Sequence, residues 1–284
     1  MSTLSIGTLL RCGSIDERRI ACCREIGLDS IQIAGVYEEW LAPGAAARKA
    51  SDAFFELFRK YGISVPAAFL SYPNQDWAHP REGIGLVPEA TRAERMVLSC
   101  RQMSWAKRYG IKYITCHVGF VTEEKKECYE RFIGEMKQLV RFAGSNDQEF
   151  LFETGTESAA SLERILDDIG EPNVGINFDP ANLVIYGADD PAVLIDRLAD
   201  RIRVVHCKDA VPAEAGALLG KETVLGKGST HFTELLKKLL AGGFRGPLII
   251  ERELPLGPEQ EKDVADAAGL IGSIANSFKG TRQS

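Results

Sequence analysis

"EFLFETGTESAASLERILDDIGEPNVGINFDP", residues 149–180, holds one complete unit of the repeating pattern that decides the fold. An apolar, β-prone run covers 149–154, an amphipathic helical pattern covers 158–168, and a second apolar run at 174–179 ends at Asp179. Pro180 disfavours helical geometry at the preceding residue and has no backbone N–H, so the second strand ends there. A carboxylate therefore lies at the C-terminal tip of a strand, which is where α/β proteins bind ligands.

The same alternation of short apolar runs and longer amphipathic segments extends along the chain. Further strand-like runs lie at 4–9, 30–35, 63–70, 112–119, 203–209 and 247–253, and further helical patterns at 15–26, 45–61, 89–109, 124–142, 191–199, 231–241 and 259–277. Many helix-to-strand joins carry a glycine just before the strand, as a left-handed helix C-cap requires. Eight such units in 284 residues predict an α/β fold, a single (β/α)8 TIM barrel.

One barrel domain over residues 1–284 is the expected organisation, and the tail at 279–284 is expected to fray. A doubly wound open sheet is the alternative, but no GxGxxG motif follows the first strand and no change of composition marks a second domain. The long connections at 71–88 and 210–230 both follow strands, so we interpret them as candidate lids over the active face.

Composition excludes several classes of function. The formal charge of −6 and the pI near 5.4 argue against a nucleic-acid partner, because neutralising phosphates needs a concentrated basic surface. No apolar run reaches transmembrane length and the N-terminus lacks a secretory pattern, so we expect a cytoplasmic protein without a membrane partner. The seven cysteines contain no CxxC pair, which indicates reduced, packed thiols. A homo-oligomer is compatible with the sequence.

Metal-ligating side chains end four successive strands: Glu153, Asp179, His206 and Glu251. They are 26, 27 and 45 residues apart, yet parallel strands of a barrel direct their C-terminal ends to one face. One such acid is more commonly a helix cap or an ion-pair partner, but four on consecutive strands favour a metal site. Three carboxylates and one imidazole suit one divalent ion, with Mn²⁺, Mg²⁺ or Co²⁺ favoured and Zn²⁺ compatible.

Further polar residues near these strand ends are candidates for binding the substrate, each with a structural alternative. Lys208 and Asp209 follow His206 and either contact a substrate oxygen, orient the imidazole or form a plain ion pair. His117 ends the fourth strand and either donates to substrate or is a buried structural histidine. Glu157 and Asn182 either contact substrate or cap local backbone.

Five motifs carry a resemblance to a known family: "FETGTES" (152–158), "GINFDPANLVIYG" (175–187), "VHCKDA" (205–210), "LGKG" (225–228) and "GPLIIERE" (246–253). They resemble the sugar phosphate isomerase/epimerase family of the xylose isomerase-like TIM barrels, from about residue 112 to the end. The resemblance implies that Glu153, Asp179, His206 and Glu251 are the metal ligands, and that Glu153 and Glu251 also move protons. Ketose 3-epimerases of this fold differ in carrying His where Asn182 stands and Arg where Pro212 stands.

A divalent ion in such a site chelates adjacent carbonyl and hydroxyl oxygens of a small carbohydrate and stabilises an ene-diolate. Glu153 and Glu251 then transfer the proton as catalytic residues, which predicts a metal-dependent isomerase or epimerase of a sugar or sugar phosphate. The sequence leaves epimerisation and aldose–ketose isomerisation both open. The alternative is a metal-dependent dehydratase or lyase acting on a keto-inositol or keto-sugar. A repair endonuclease would need more histidines and a basic face, and a non-catalytic barrel would not need four intact ligands.

Overall fold

Parallel backbone hydrogen bonding joins eight strands into a ring in the order β1-β10-β7-β6-β5-β4-β3-β2. The structure is a computed structural model that describes residues 4–76, 79–122 and 126–280. The barrel strands are β1 (Ile6–Arg11), β2 (Ser30–Ala34), β3 (Ala67–Phe69), β4 (Tyr113–Cys116), β5 (Glu149–Glu153), β6 (Val174–Phe178), β7 (Ile202–Cys207) and β10 (Leu248–Ile250). The predicted (β/α)8 barrel is thereby confirmed.

Helices surround the ring. Their bounds are α1 (Glu17–Glu25), α2 (Ala45–Tyr61), α3 (Pro80–Gly83), α4 (Glu89–Arg108), α5 (Lys126–Ser145), α6 (Ala159–Ile169), α7 (Pro180–Tyr186), α8 (Pro191–Leu198), α9 (Phe232–Ala241) and α10 (Pro258–Gly280). Helix α2 matches its predicted range and ends at Gly62, whose φ of 61° is the left-handed cap that its position before a strand indicates. In none of the described segments does a helix combine the length and hydropathy needed to cross a bilayer.

Two apolar layers hold the barrel together. The larger one lies between the strands and the helices, where outward-facing strand residues such as Ile33, Phe152 and Ile176 are fully buried. A smaller cluster fills the interior of the barrel; it consists of Ala67, Leu151, Val204 and Ile249, with Leu9 and Tyr113 packed against it. Because this plug closes the barrel from inside, a ligand can enter only from the C-terminal ends of the strands.

Some elements were not predicted from the sequence. Helix α7 begins directly after Asp179, whose side chain accepts a hydrogen bond from Asn182 N while Pro180 occupies the first helical position. The connection after β7 contains an antiparallel hairpin of β8 (Asp209–Val211) and β9 (Lys221–Thr223). Both are too short to produce a clear periodic pattern.

Two predicted boundaries reach beyond the described residues. The helix expected at 124–142 begins in a stretch outside them, and α5 is described from Lys126 onward. Helix α10 continues to Gly280, so the first part of the expected tail is helical, and residues 281–284 lie outside the described part. The described residues form one barrel, and the extent of the domain over 1–284 stays a prediction.

Candidate metal centre

The predicted ligands lie directly above the apolar plug because side chains of a strand alternate between inside and outside. Glu153 comes two residues after Leu151 of the plug, and Glu251 comes two residues after Ile249. His206 follows Val204 in the same way, so all three point into the barrel interior. Asp179 joins them from the residue just beyond β6. The four side chains are thus gathered at the C-terminal end of the barrel.

One ligand atom from each of Glu153, Asp179, His206 and Glu251 lies within 4.8 Å of all the others. The Nδ1 atom of His206 is 2.9 Å from Glu153 Oε1, 2.9 Å from Glu251 Oε2 and 3.8 Å from Asp179 Oδ2. Three carboxylates therefore converge on a single ring nitrogen. A nitrogen with one lone pair or one hydrogen can satisfy only one of them, whereas a central cation would contact them all.

The cluster passes a direct test of fit for a cation. The Asp179 Oδ2, His206 Nδ1 and Glu251 Oε2 atoms are buried without a hydrogen-bond partner in the described structure. Buried polar atoms are normally paired, since leaving one unpaired costs about 1–3 kcal/mol. All three unpaired atoms face one another across the cluster. The residues present can therefore hold a metal ion, with an oxygen-rich donor set of the kind that hard divalent cations prefer.

Neighbouring polar side chains orient two of the ligands. His206 Nε2 lies 3.0 Å from Gln32 Oε1 and 3.1 Å from Asn177 Nδ2, and Gln32 in turn donates to Thr115 Oγ1 at 2.8 Å. When Nε2–H donates to Gln32, the neutral ring keeps its lone pair on Nδ1, the atom that faces the carboxylates. The cap bond from Asn182 N occupies Asp179 Oδ1, which leaves Oδ2 directed at the cluster.

The two glutamates have opposite pKa shifts. Burial raises the pKa of Glu153 to about 7. Burial acts in the same direction on Glu251, but the positive charge of Lys208, and that of His206 whenever its ring is protonated, outweighs it and holds its pKa below the ordinary value. The environment thus separates two identical carboxyl groups, which is a common arrangement where one group donates a proton and another accepts one.

Lys208 is a buried cation beside the ligands, at 2% exposure. Its Nζ atom lies 3.5 Å from Glu251 Oε2, 3.7 Å from Asp179 Oδ2 and 2.7 Å from Glu253 Oε1. Burial lowers the pKa of Lys208, but the charges of Glu251 and then Asp179 outweigh that effect and raise the pKa above its ordinary value. Lys208 therefore stays charged and balances part of the negative charge of the cluster.

A cavity of about 340 Å³ opens above the cluster. Glu153 and Glu251 form part of its wall, together with the predicted residues His117 and Asn182. The remaining lining comes from β1, β2, β3 and the segment after it, α7 and the residues just after β10; it includes Leu9, Arg11, Ala34, Phe69, Tyr72, Asn74, Gln75, Tyr186 and Glu253. A cavity of this size fits a small polar molecule.

The structure brings some predicted substrate residues into this cavity and directs others elsewhere. His117 packs edge-on against Tyr186 with 5.9 Å between ring centroids, and burial followed by the charge of Lys208 lowers its pKa to about 4. Asn182 Oδ1 accepts a bond of 3.4 Å from Lys208. Both residues line the cavity above the cluster, and their binding of substrate stays a prediction.

Asp209 and Glu157 are directed away from the cavity. The Asp209 carboxylate accepts bonds from the backbone N–H groups of Ala210, Gly226, Gly228 and Thr230 and from the Thr230 hydroxyl, so it shapes its own connection. Glu157 is buried and accepts a bond from Val121 N, and burial raises its pKa to about 7. These contacts favour the structural alternative for both residues, and their binding of substrate stays a prediction.

Several residues of the site were not singled out from the sequence. Gln32 and Asn177 lie within apolar strands at inward-facing positions, and a polar residue interrupting "SIQIA" or "VGINF" is the signal that marks them. Arg11 is the last residue of β1 and Glu253 lies just after β10, and both positions follow from the same alternation that places the ligands. Tyr186 lies in α7, which itself was not predicted, so no sequence signal located it.

Comparison with known proteins agrees with this fold. A family model described as xylose isomerase-like TIM barrel matches residues 20–273. The chain belongs to the xylose isomerase-like TIM barrel family. A solved member of this description, a xylose isomerase domain protein from Planctomyces limnophilus, is 28% identical with a TM-score of 0.89 and covers 99% of this chain and 100% of that one.

Sequence relatives of this xylose isomerase-like barrel match over shorter stretches. Inosose dehydratase from Lacticaseibacillus casei is 29% identical in an alignment of 112 residues, and the match covers 35% of this chain and 37% of that protein. The rhizopine catabolism protein MocC from Rhizobium meliloti is 31% identical in an alignment of 180 residues, and the match covers 55% of this chain and 54% of that protein. The chain thus spans between about a third and about half of the length of these curated relatives.

Proposed function

We propose that this protein is a divalent-metal-dependent enzyme that moves a proton on the carbon next to a carbonyl group of a small sugar-like substrate. The observation that carries the proposal is the cluster of four ligand atoms within 4.8 Å of one another at the base of an open cavity. Glu153, Asp179, His206 and Glu251 would hold the ion, with Mn²⁺, Mg²⁺ or Co²⁺ preferred by three carboxylates and one imidazole.

The ion, when bound, would polarise neighbouring carbonyl and hydroxyl oxygens of the substrate and acidify the C–H bond between them. The remaining steps belong to residues of the chain. Glu153 lies at the end of β5 and Glu251 just after β10, with β6 and β7 between them in the ring, so they reach the substrate from different sides. One carboxylate removes the proton and the other returns a proton, either to the opposite face or to the next carbon.

The two-carboxylate arrangement favours an isomerase or epimerase. Lys208 and His117 support it by binding: the charged Lys208 neutralises nearby carboxylates, and the neutral His117 can donate a hydrogen bond to a substrate hydroxyl. The plug below the ligands and the aromatic wall of Phe69 and Tyr72 limit the access of water to the reacting carbon.

A metal-dependent dehydratase is the second candidate, and the relatives named inosose dehydratase favour it. The first half of the reaction would be the same proton removal by a glutamate. In the second half a hydroxide would leave from the neighbouring carbon, with a proton supplied by a charged group beside the ligand cluster. Lys208, at 3.5 Å from Glu251 Oε2, is the residue in position to supply it.

Two measurements test the proposal, the binding of Mn²⁺ and the mass of the reaction product. We expect about one Mn²⁺ per chain by equilibrium titration, and exchange of a substrate C–H proton when a panel of ketoses, keto-inositols and their phosphates is incubated in deuterated water. An isomerase or epimerase gives a product with one deuterium in place of one hydrogen. A dehydratase gives a product lighter by one water. Absence of both Mn²⁺ binding and exchange would refute the proposal.

Two kinds of variant distinguish residues that only hold the metal ion from residues that also transfer a proton. His206→Ala should lose metal and exchange together while the barrel stays folded, because strand-end residues of this face serve function more than stability. Glu153→Gln and Glu251→Gln each keep one oxygen donor and should retain part of the metal affinity while turnover falls at least ~100-fold. If both glutamine variants kept near-normal turnover, the two-carboxylate mechanism would be wrong.

A further inference from the structure

We propose that Arg11 forms an anion-recognition subsite of the cavity, and that the substrate is a hydroxy-carbonyl compound carrying a carboxylate or phosphate group. The inference rests on the proposed function, because the metal ligands define which end of the substrate lies deep in the barrel. Arg11 is the last residue of β1, and its side chain lines the same cavity as Glu153 and Glu251. Anion recognition by Arg11 would add a chemical class of substrate to the proposed activity.

Strand alternation directs Arg11 inward. Thr8 and Leu10 of β1 line a separate groove that also contains residues of α1 and α10, on the outside of the barrel. Leu9 and Arg11 line the central cavity instead. The guanidinium is therefore delivered to the cavity by the backbone of the strand and does not depend on the conformation of a loop.

The register of β1 against β10 sets the height of Arg11 above the metal ligands. Thr8 pairs with Ile250. If this register continues along both chains, Leu9 lies level with Glu251 and Arg11 lies level with Glu253. Two residues of strand correspond to about 6.5 Å, which is roughly the length of four or five carbon–carbon bonds. A substrate of five or six carbons, chelated at one end, would therefore present its other end to Arg11.

The guanidinium has no protein partner within the ranges 4–76, 79–122 and 126–280, although acids line the same wall. Glu251 faces the ligand cluster with Lys208 Nζ at 3.5 Å, and Glu253 is paired with Lys208 at 2.7 Å, so neither neutralises Arg11. The guanidinium donors form a planar fork that matches the oxygen spacing of a carboxylate or a phosphate. An unpaired arginine at this height thus favours an anionic substituent over a further hydroxyl group.

Two amide side chains line the cavity with Arg11 and add neutral donors. Asn74 has a φ of 59°, and Arg95 holds its carbonyl oxygen at 3.4 Å, so an uncommon backbone conformation is fixed at the cavity wall. Gln75 accepts a bond from Gly85 N at 2.8 Å through its Oε1 atom, which keeps its NH₂ group available as a donor. An anion bound at Arg11 would have these amides as second partners.

The experiment compares ligands of matched size and different charge on the Mn²⁺-loaded protein. D-Fructose is the neutral probe, D-fructose 6-phosphate carries a phosphate and 5-keto-D-gluconate carries a carboxylate, and binding is measured by titration calorimetry. We expect at least one anionic probe to bind about 10-fold or more tightly than fructose, since hydrogen bonds between a guanidinium and an anion are stronger than those to a neutral hydroxyl group. Arg11→Gln should remove that preference, while Arg48→Gln, an exposed arginine of α2 outside the cavity, should keep it.

Each outcome has one consequence. A preference for the phosphate alone, the carboxylate alone or both, lost in Arg11→Gln, supports the subsite and identifies the anion. A preference that survives in Arg11→Gln means that the anion binds elsewhere, for example on the metal, and overturns the subsite while the proposed function stands. No preference at all also overturns it. If Mn²⁺ fails to bind but the Arg11-dependent preference persists in the metal-free protein, the proposed function falls and the subsite stands.

Discussion

Three glutamates of the C-terminal face, of which Glu153 and Glu157 are buried and Glu251 is partly buried, differ in what surrounds them, and their chemistry follows from the surroundings. Burial raises the pKa values of Glu153 and Glu157 to about 7, whereas Lys208 and His206 hold the pKa of Glu251 below its ordinary value. Glu153 and Glu251 lie within the metal cluster, and Glu157 serves the backbone of the connection after β4. The carboxyl group is the same in all three, so the neighbours decide whether it is a ligand, a base or a structural acceptor.

Replacing Glu157 by Gln tests the structural role at the residue scale. The pKa of Glu157 is higher in the folded than in the unfolded protein. Its contribution to the free energy of unfolding is therefore most favourable below pH 4.5, where the carboxyl group is protonated in both states, and it is lost as the pH rises through about 7. Gln keeps the Oε1 acceptor for Val121 N but cannot ionise. We expect Glu157→Gln to gain stability relative to the wild type between pH 5 and pH 8, by at most about 3 kcal/mol.

The measurement is urea unfolding at both pH values with a chelator present, so that metal binding does not contribute. Glu259→Gln, at an exposed position of α10, is the matched control and should show little pH-dependent difference. Equal pH dependence in Glu157→Gln and the wild type would mean that Glu157 does not change its ionisation on folding.

At the scale of elements, helix α4 fixes the segment that we interpreted as a lid from the sequence. Arg95 is buried and donates to Gly85 O at 2.7 Å and Gly83 O at 3.0 Å, and Arg92 donates to Leu86 O at 2.7 Å. Carbonyl groups of the segment after β3 are thus held by one helix. These bonds favour a fixed wall over a mobile lid for the described part of 71–88.

Arg95→Met tests this wall. The change leaves buried carbonyl groups without donors, which costs about 1–3 kcal/mol each if the segment does not move, so the segment should open instead. We expect faster amide hydrogen exchange across 79–88 and a higher KM, with a smaller effect on kcat. Arg101→Met is the control. Arg101 lies on the same helix but is exposed, and its ion pair with Glu38 is long, at 3.9 Å. Unchanged exchange in Arg95→Met would contradict the fixed wall.

At the scale of the whole molecule, the cluster of candidate metal ligands would link ion binding to the stability of the barrel. Asp179, His206 and Glu251 present unpaired buried atoms to one another, and they come from β7 and from the residues just after β6 and β10. A bound cation would therefore cross-link elements far apart in sequence, and it would bind only the folded protein.

We expect Mn²⁺ at 100 times its Kd to stabilise the protein by about 2.7 kcal/mol and to raise Tm by about 5 °C. The measurement is calorimetric unfolding with Mn²⁺ and with a chelator. His206→Ala should unfold at the same temperature under both conditions. A Tm that does not respond to Mn²⁺ in the wild type would show that no ion is held by the native barrel.

The sequence by itself determined the strands and most of the helices, because hydrophobic periodicity and glycine caps are local properties of the chain. It also placed Glu153, Asp179, His206 and Glu251 at strand ends, and the parallel direction of the strands was enough to predict their convergence. The four side chains do converge, with three carboxylates around the Nδ1 atom of His206.

Only the tertiary structure decided which neighbouring polar groups remain available for chemistry. Asp209 and Lys208 are adjacent in sequence, yet Asp209 is saturated by its own connection while Lys208 is buried beside the ligands. Gln32 reaches His206 across 174 residues, and Arg11 faces the cavity without a protein partner in the described ranges. Hydrogen-bond partners are set by which distant elements pack together, and that packing depends on the closed ring, which local patterns do not encode.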